Sequence, residues 1–180
     1  LMNSKEERVQ VCSLEFLQRI ASEETQRFIE EGGGKSLVRF LDPRNNASHK
    51  SKDLALRIIE KLSLSPLVTT EDLINHGLLN HLFFYLKNDI SVQEASVAAA
   101  LRLSTGPEKV KKEMGELGFM SEFVRLSDTK CTVLSEMALE GLKGLVSLPK
   151  NRRMFIEDDQ SMQRVLQALD RDDTSAESKR

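Results

Sequence analysis

The chain has 180 residues with 26 Lys and Arg against 28 Asp and Glu. Its pI is near 6.0, so it carries no global field for gripping nucleic acid or an anionic membrane. A composition of 39% hydrophobic and 30% charged residues, with no Trp, nine Gly and four Pro, excludes collagen-like and Pro-rich disordered chains and disfavours a β-sandwich. Helix is what remains.

In chain order, residues 1–7 are too polar for a signal-peptide core, and no stretch approaches 18 apolar residues, so neither export nor membrane insertion is expected. Cys12 and Cys131 stand far apart in apolar helical patterns. They read as two reduced, core-packed thiols, which points to a cytoplasmic or nuclear location. Short helices are expected over 23–31, 70–76 and 108–117, the last two opening on Thr70-Glu71-Asp72 and Pro107-Glu108, residues that favour a helix start. A glycine follows each: Gly32, Gly77 and Gly118, where the turn out of a helix calls for a left-handed residue. Counting from that glycine, positions +2, +5 and +8 give Gly34, Leu37, Phe40; Leu79, Leu82, Tyr85; and Met120, Phe123, Leu126. A last copy without the glycine gives Met162, Val165, Ala168. Residues 171–180 read as a disordered tail.

A longer helix comes next in each unit, punctuated by Pro66, Pro107 and Pro149 at steps of 41 and 42 residues. Five residues before each proline stands a reference position, Lys61, Arg102 and Gly144, with Arg19 one period earlier. Relative to it, −6 is Ser13, Ala55, Ser96, Ala138; −5 is Leu14, Leu56, Val97, Leu139; −2 is Leu17, Ile59, Ala100, Leu142; and +1 is Ile20, Leu62, Leu103, Leu145. At about 100° per residue these lie within an arc of roughly 120°, the stripe of a core-facing helix.

A short helix, a middle helix behind a glycine and a long third helix, repeating at about 42 residues, resembles the armadillo repeat, including its Gly-x-x-x-x-Leu-Val/Phe run at 32–38, 77–83 and, with Phe123 in the place of the Leu, 118–124. Two-helix HEAT repeats are the structural alternative. The resemblance implies an all-α fold, a right-handed α-α superhelix with two complete three-helix repeats in the middle and partial repeats at each end. The units fall at about 5–22, 23–65, 66–106, 107–148 and 149–170. The chain is expected to begin with a third helix and to end with a second one, as a piece of a longer array or an array with unusual ends. An apolar end around Val9, Val11, Phe16 and Ile20 would then lie exposed and could drive dimers.

In the relatives that hold extended peptides, the resemblance places an Asn on the third helix and a Trp one turn earlier. Here Arg19, Lys61, Arg102 and Gly144 stand at the first position, and Glu15, Arg57, Ala98 and Glu140 at the second. Binding of nuclear-import signals is therefore disfavoured. What replaces the clamp is a row of three cations spanning roughly 20 Å, the reach of about six extended residues. An acidic or phosphorylated segment suits it, with Arg19, Arg57, Lys61, Arg102 and Glu140 as the groove residues. The alternative is a solvated helix face, partly neutralised by Glu15 and Glu140. Phe84 and a basic edge at Lys150, Arg152 and Arg153 are candidates for a second contact surface.

Chemistry is hard to place. His76 and His81 lie about 140° apart on a helix, no Cys-x-x-Cys occurs, and no metal site is expected. Gly32-Gly33-Gly34-Lys35-Ser36 lacks the strand and spacing of a phosphate loop and reads as an inter-helix turn loosened by extra glycines. No nucleophile has a base in register, so no catalytic residue and no cofactor are assigned. The expected function is a non-catalytic protein-interaction module, with no nucleic acid among its partners. The overall look is similar to the armadillo arrays of plant U-box ubiquitin ligases and vacuolar-protein-8-like scaffolds, which implies a substrate-recognition part of a larger ligase as one alternative. An armadillo-type nucleotide-exchange factor for a 70-kDa heat-shock chaperone is another.

Overall fold

A computed structural model describes residues 6–64, 70–158 and 160–167; Pro66, Ala168 and the tail expected at 171–180 lie outside them. The chain divides into two compact units, Leu1–Gly106 and Pro107–Arg180.

The first unit runs α1 (Glu7–Glu23), α2 (Thr25–Glu30), α3 (Gly33–Phe40), α4 (His49–Leu62), α5 (Thr70–Asn75), α6 (Leu78–Asn88), a 3₁₀ turn at Ile90–Val92 and α7 (Gln93–Ser104). Its third helices stack in series, α1 on α4 and α4 on α7. The apolar stripe is what they bury: Leu14, Ala55, Leu56, Ile59, Val97 and Ala100 are fully inaccessible. Ser48 starts α4 by accepting the Ser51 amide at 3.2 Å, the expected use of a serine just ahead of a helix. Successive middle helices are joined at a spacing of one repeat. The buried Tyr85 hydroxyl donates to the Leu41 carbonyl at 2.8 Å, and His81 Nδ1 lies 3.1 Å from the Val38 carbonyl oxygen.

The second unit runs α8 (Glu108–Leu117), α9 (Phe119–Ser127), α10 (Thr132–Val146) and α11 (Pro149–Glu157), with residues 160–167 also helical. Its core is α9 against α10, with Phe123 and Leu145 fully buried. Gly141 makes that approach possible, since a Cβ there would stand 2.8 Å from the Phe123 ring. Asn151, wholly buried, ties α11 to its neighbours by donating to the Lys111 carbonyl at 2.8 Å and the Leu145 carbonyl at 3.1 Å.

Gly32, Gly77 and Gly118 have φ of 78°, 93° and 92°, the left-handed backbone their spacing calls for. Three corrections follow. Among the described residues the complete helix triplets number three rather than two, one for each of the units expected at 23–65, 66–106 and 107–148. The glycine triplet is a packing requirement and not a loosened turn: a Cβ on Gly33 would lie 2.4 Å from the Phe28 ring and one on Gly34 2.9 Å from Leu73. Cys12 and Cys131 are both exposed rather than core-packed, because Cys12 falls outside the stripe of α1 and Cys131 immediately precedes α10.

Candidate partner-binding surface

Four of the five groove residues belong to the first unit, on the solvent side of its third helices. Arg19, Arg57, Lys61 and Arg102 are all exposed, as expected for positions opposite a buried stripe. Their charges are not equivalent. Arg57 Nε donates to Asp53 Oδ2 at 2.8 Å within α4. That hydrogen bond, then the Asp53 charge, raises the guanidinium pKa above its ordinary value, with Glu94 and Glu60 adding to it. Arg102 on α7 reaches back to Glu60 of α4, Nε to Oε1 at 3.5 Å. Arg19 and Lys61 make no ion pair among the described residues, so the row of cations reduces to these two as free charges.

Lys61 also borders a cleft of about 160 Å³ between α1 and α4, together with Gln18, Ser22, Thr25 and Ile58. Ser22 Oγ donates to the Gln18 carbonyl at 2.8 Å, and Thr25 Oγ1 to the Ala21 carbonyl at 2.6 Å. Their hydroxyl protons are thereby spent on their own helical turns. The Lys61 ammonium and the Gln18 amide are left as the donors facing the cleft. Sequence reasoning missed Gln18 and Glu60, although their spacing was a signal: each stands one place before the reference position, Gln18 opposite Lys61 and Glu60 opposite Arg102.

The fifth groove residue, Glu140, lies in the second unit, where Lys143 bridges it at 3.1 Å. Gly144 puts no charge at the row's fourth position. The basic edge of that unit is largely engaged in structure. Lys150 pairs with Glu116 at 2.7 Å, which lowers the Glu116 pKa below its ordinary value. Arg152 caps the end of α10, donating to the Val146 carbonyl at 3.2 Å and the Ser147 carbonyl at 3.4 Å. Arg153 is exposed. Phe84 in the first unit is 41% exposed, its ring edge-on to Tyr85 at 5.6 Å. Phe83, one place after the core position Leu82, is half-buried. At the apolar end, Phe16 is 64% exposed and Val9 and Ile20 are partly so, but Val11 is buried at 8% and is removed from that surface.

Among the described residues no group of His, Cys, Asp and Glu could hold a metal ion, and no helix is long and apolar enough to cross a membrane.

No protein-family model matches the chain, and no curated protein matches it. Solved structures do. A designed armadillo repeat protein superimposes at a TM-score of 0.71 with 23% identity, over 81% of this chain and 61% of its own length. A second, in complex with the peptide (KR)4, gives 0.73 and 23%, over 93% of this chain and 66% of its own. Computationally designed armadillo repeat proteins for modular peptide recognition give 0.71 and 23%, over 93% and 67%. This chain thus spans less than two thirds of the first two. The class defined is an all-α armadillo repeat fold.

Proposed function

We propose that this chain is a non-catalytic protein-binding module whose third-helix face takes an extended acidic or phosphorylated segment of a partner protein. The observation that carries the reading is the pair of free cations one repeat apart, Arg19 and Lys61, with Lys61 beside the cleft between α1 and α4. The similar designed protein is in complex with a basic peptide, (KR)4. In this chain the corresponding helix face carries Arg and Lys where clamp residues would stand, so the charge sought in a ligand is reversed. Arg19 is suited to a bidentate carboxylate or phosphate pair, and Lys61 supplies a point charge. Arg57 and Arg102 shape the face while their charges are taken by Asp53 and Glu60; Glu140 belongs to the second unit, where Lys143 takes its charge. The site offers positioning and charge but no nucleophile or base.

The test compares fluorescent (DE)4 and (KR)4 peptides by anisotropy at low and moderate salt. The wild-type chain is measured beside an Arg19→Glu, Lys61→Glu variant shown to be folded by circular dichroism. Salt-sensitive binding of (DE)4 that the variant loses supports the reading. Preference for (KR)4, or (DE)4 binding that the variant keeps, removes it. Affinity capture from lysate with the same pair of proteins then identifies the natural partner.

A further inference from the structure

The two middle helices of the first unit carry no carboxylate. α3 (Gly33–Phe40) holds Lys35 and Arg39, α6 (Leu78–Asn88) holds His81 and Lys87, and neither has an Asp or a Glu, although the chain has 28 of them. In the second unit the equivalent α9 has Glu122, which bridges Arg125 at 2.7 Å. Neighbouring carboxylates are engaged. Asp42, just past α3, takes the Arg44 guanidinium at 2.9 Å, and that hydrogen bond holds its carboxyl well below the usual range. Asp89, just past α6, accepts the Ser91 amide at 3.2 Å and lies 3.8 Å from the Lys52 ammonium. Asp72 of α5 lies 3.6 Å from His76. Lys35, Arg39 and Lys87 are exposed and make no ion pair among the described residues.

These residues share one side. Lys35 and Arg39 stand at +3 and +7 from Gly32, one turn apart and thus neighbours on the surface of α3. Asn80 and Phe84 hold the same places on α6. The contacts of His81 Nδ1 with the Val38 carbonyl and of the Tyr85 hydroxyl with the Leu41 carbonyl advance in the same direction along both helices. The helices therefore run side by side and parallel, at an interaxial distance of about 8 to 10 Å, with Arg39 and Phe84 on the same side of each. Phe84 is 41% exposed, and Lys87 and Asn88, one turn on, are exposed as well. Ile90, two residues past α6, is 86% exposed. The result is a basic array with an aromatic ring standing in it and an aliphatic side chain at one end.

We propose that this middle-helix side of the first unit docks on the surface of an anionic lipid bilayer, without crossing it. Charge complementarity names the occupant. Lys and Arg keep their charged ends at the headgroups while their stems lie along apolar surface, and a Phe ring with an Ile side chain suits the boundary between headgroups and acyl chains. Two helices laid side by side present a broad array rather than a slot, which fits a bilayer better than a threaded peptide. The net charge of −2 does not oppose this, because the acids lie on other elements and exposed charges act only within about 8 Å at physiological salt. Arg19 and Lys61 stand on the third helices, so the surface does not rest on the acidic-segment reading.

The experiment is co-sedimentation of the 180-residue chain with vesicles of phosphatidylcholine, alone or with about 30% phosphatidylserine, at low and moderate salt. The wild type pellets with the anionic vesicles only, and less as salt rises. Each cation near such a surface is worth roughly fivefold in affinity, so a Lys35→Gln, Arg39→Gln, Lys87→Gln variant, checked for folding by circular dichroism, binds about 100-fold more weakly. An Arg19→Glu, Lys61→Glu variant binds as the wild type does. Because the chain has no Trp, Phe84→Trp supplies one fluorophore at the contact, and its emission shifts to the blue with anionic vesicles. A wild type that ignores anionic vesicles, a triple variant that binds them equally well, or a Phe84→Trp emission that does not move overturns the proposal. Loss of vesicle binding in the Arg19→Glu, Lys61→Glu variant moves the contact to the third helices and overturns it as well. Binding of soluble (DE)4 that the triple variant loses, without vesicle binding, also overturns it and gives the face to an acidic protein segment.

Discussion

Tyr85 is the only tyrosine in a chain without tryptophan, and its hydroxyl is a polar tie between two successive middle helices. Replacing it with Phe keeps the ring, which is fully buried with the Lys52 ammonium 5.5 Å from its centroid, and removes only the 2.8 Å hydrogen bond to the buried Leu41 carbonyl. Leaving one buried acceptor unserved costs about 1 to 3 kcal/mol; at roughly 2 to 4 °C per kcal/mol for a chain of this size, Tm should fall by about 4 to 8 °C for a mid-range loss of about 2 kcal/mol. The same burial, with the charges of Asp89 and Asp42 adding, raises the phenol pKa above its ordinary value. A folded pKa above the unfolded one gives stability that is fully present below about pH 10 and is lost as pH rises, because the unfolded phenol then releases its proton first. By pH 11 that loss is about 1.4 kcal/mol. The gap between wild type and Tyr85→Phe should therefore nearly close between pH 8 and pH 11. Urea unfolding of both proteins across that range measures it, and tyrosinate absorbance reports Tyr85 directly. A folded protein whose tyrosine titrates at the ordinary value, or a Tyr85→Phe gap that does not change with pH, would refute the reasoning.

Two glycine substitutions separate backbone from packing. Gly77→Ala meets nothing within 4 Å, so its cost is that of a left-handed alanine, about 1 to 2 kcal/mol. Gly33→Ala drives a Cβ into the Phe28 ring, an overpacking cost of about 1 to 3 kcal/mol that Phe28→Leu should partly restore; thermal melts of the four proteins distinguish the two mechanisms. Cys12 and Cys131 should both react rapidly with a thiol reagent in native buffer, two equivalents per chain, and a slow second equivalent would contradict their exposure.

Much of the fold is legible because an armadillo-type unit is written locally. The glycine after each short helix answers to one backbone conformation, and the stripe at −6, −5, −2 and +1 answers to one packing face, so spacing alone locates both. Features that depend on a second helix were illegible. Phe28 explains Gly33, but nothing in their spacing says that a ring lies over that Cα. Cys12 falls in an apolar run yet outside the stripe, and it is exposed. Arg152 and Lys150 read as a basic edge, whereas the carbonyls at the end of α10 and the Glu116 carboxylate take up their donors.

The charge pattern of the binding face obeys the same division, because the partner of Arg102 comes from the preceding third helix, 42 residues away. Glu60 bridges Arg102, and one repeat earlier the equivalent residue, Gln18, faces Lys61 across the cleft without a charge to offer. Gln18→Glu would reproduce the Glu60 arrangement and should close a new bridge to Lys61. An exposed pair of this kind adds only about 0.2 to 1 kcal/mol of stability, so folding would barely change. Affinity for (DE)4 should fall, since one of the two free cations is then occupied and a carboxylate stands at the cleft. Gln18→Ala supplies no charge and should bind (DE)4 more tightly than Gln18→Glu does. Anisotropy titrations at low salt, where exposed charges are least screened, make the comparison. Equal affinity for the two variants would show that the Lys61 cleft is not where an acidic segment binds, and would leave Arg19 alone to carry the contact.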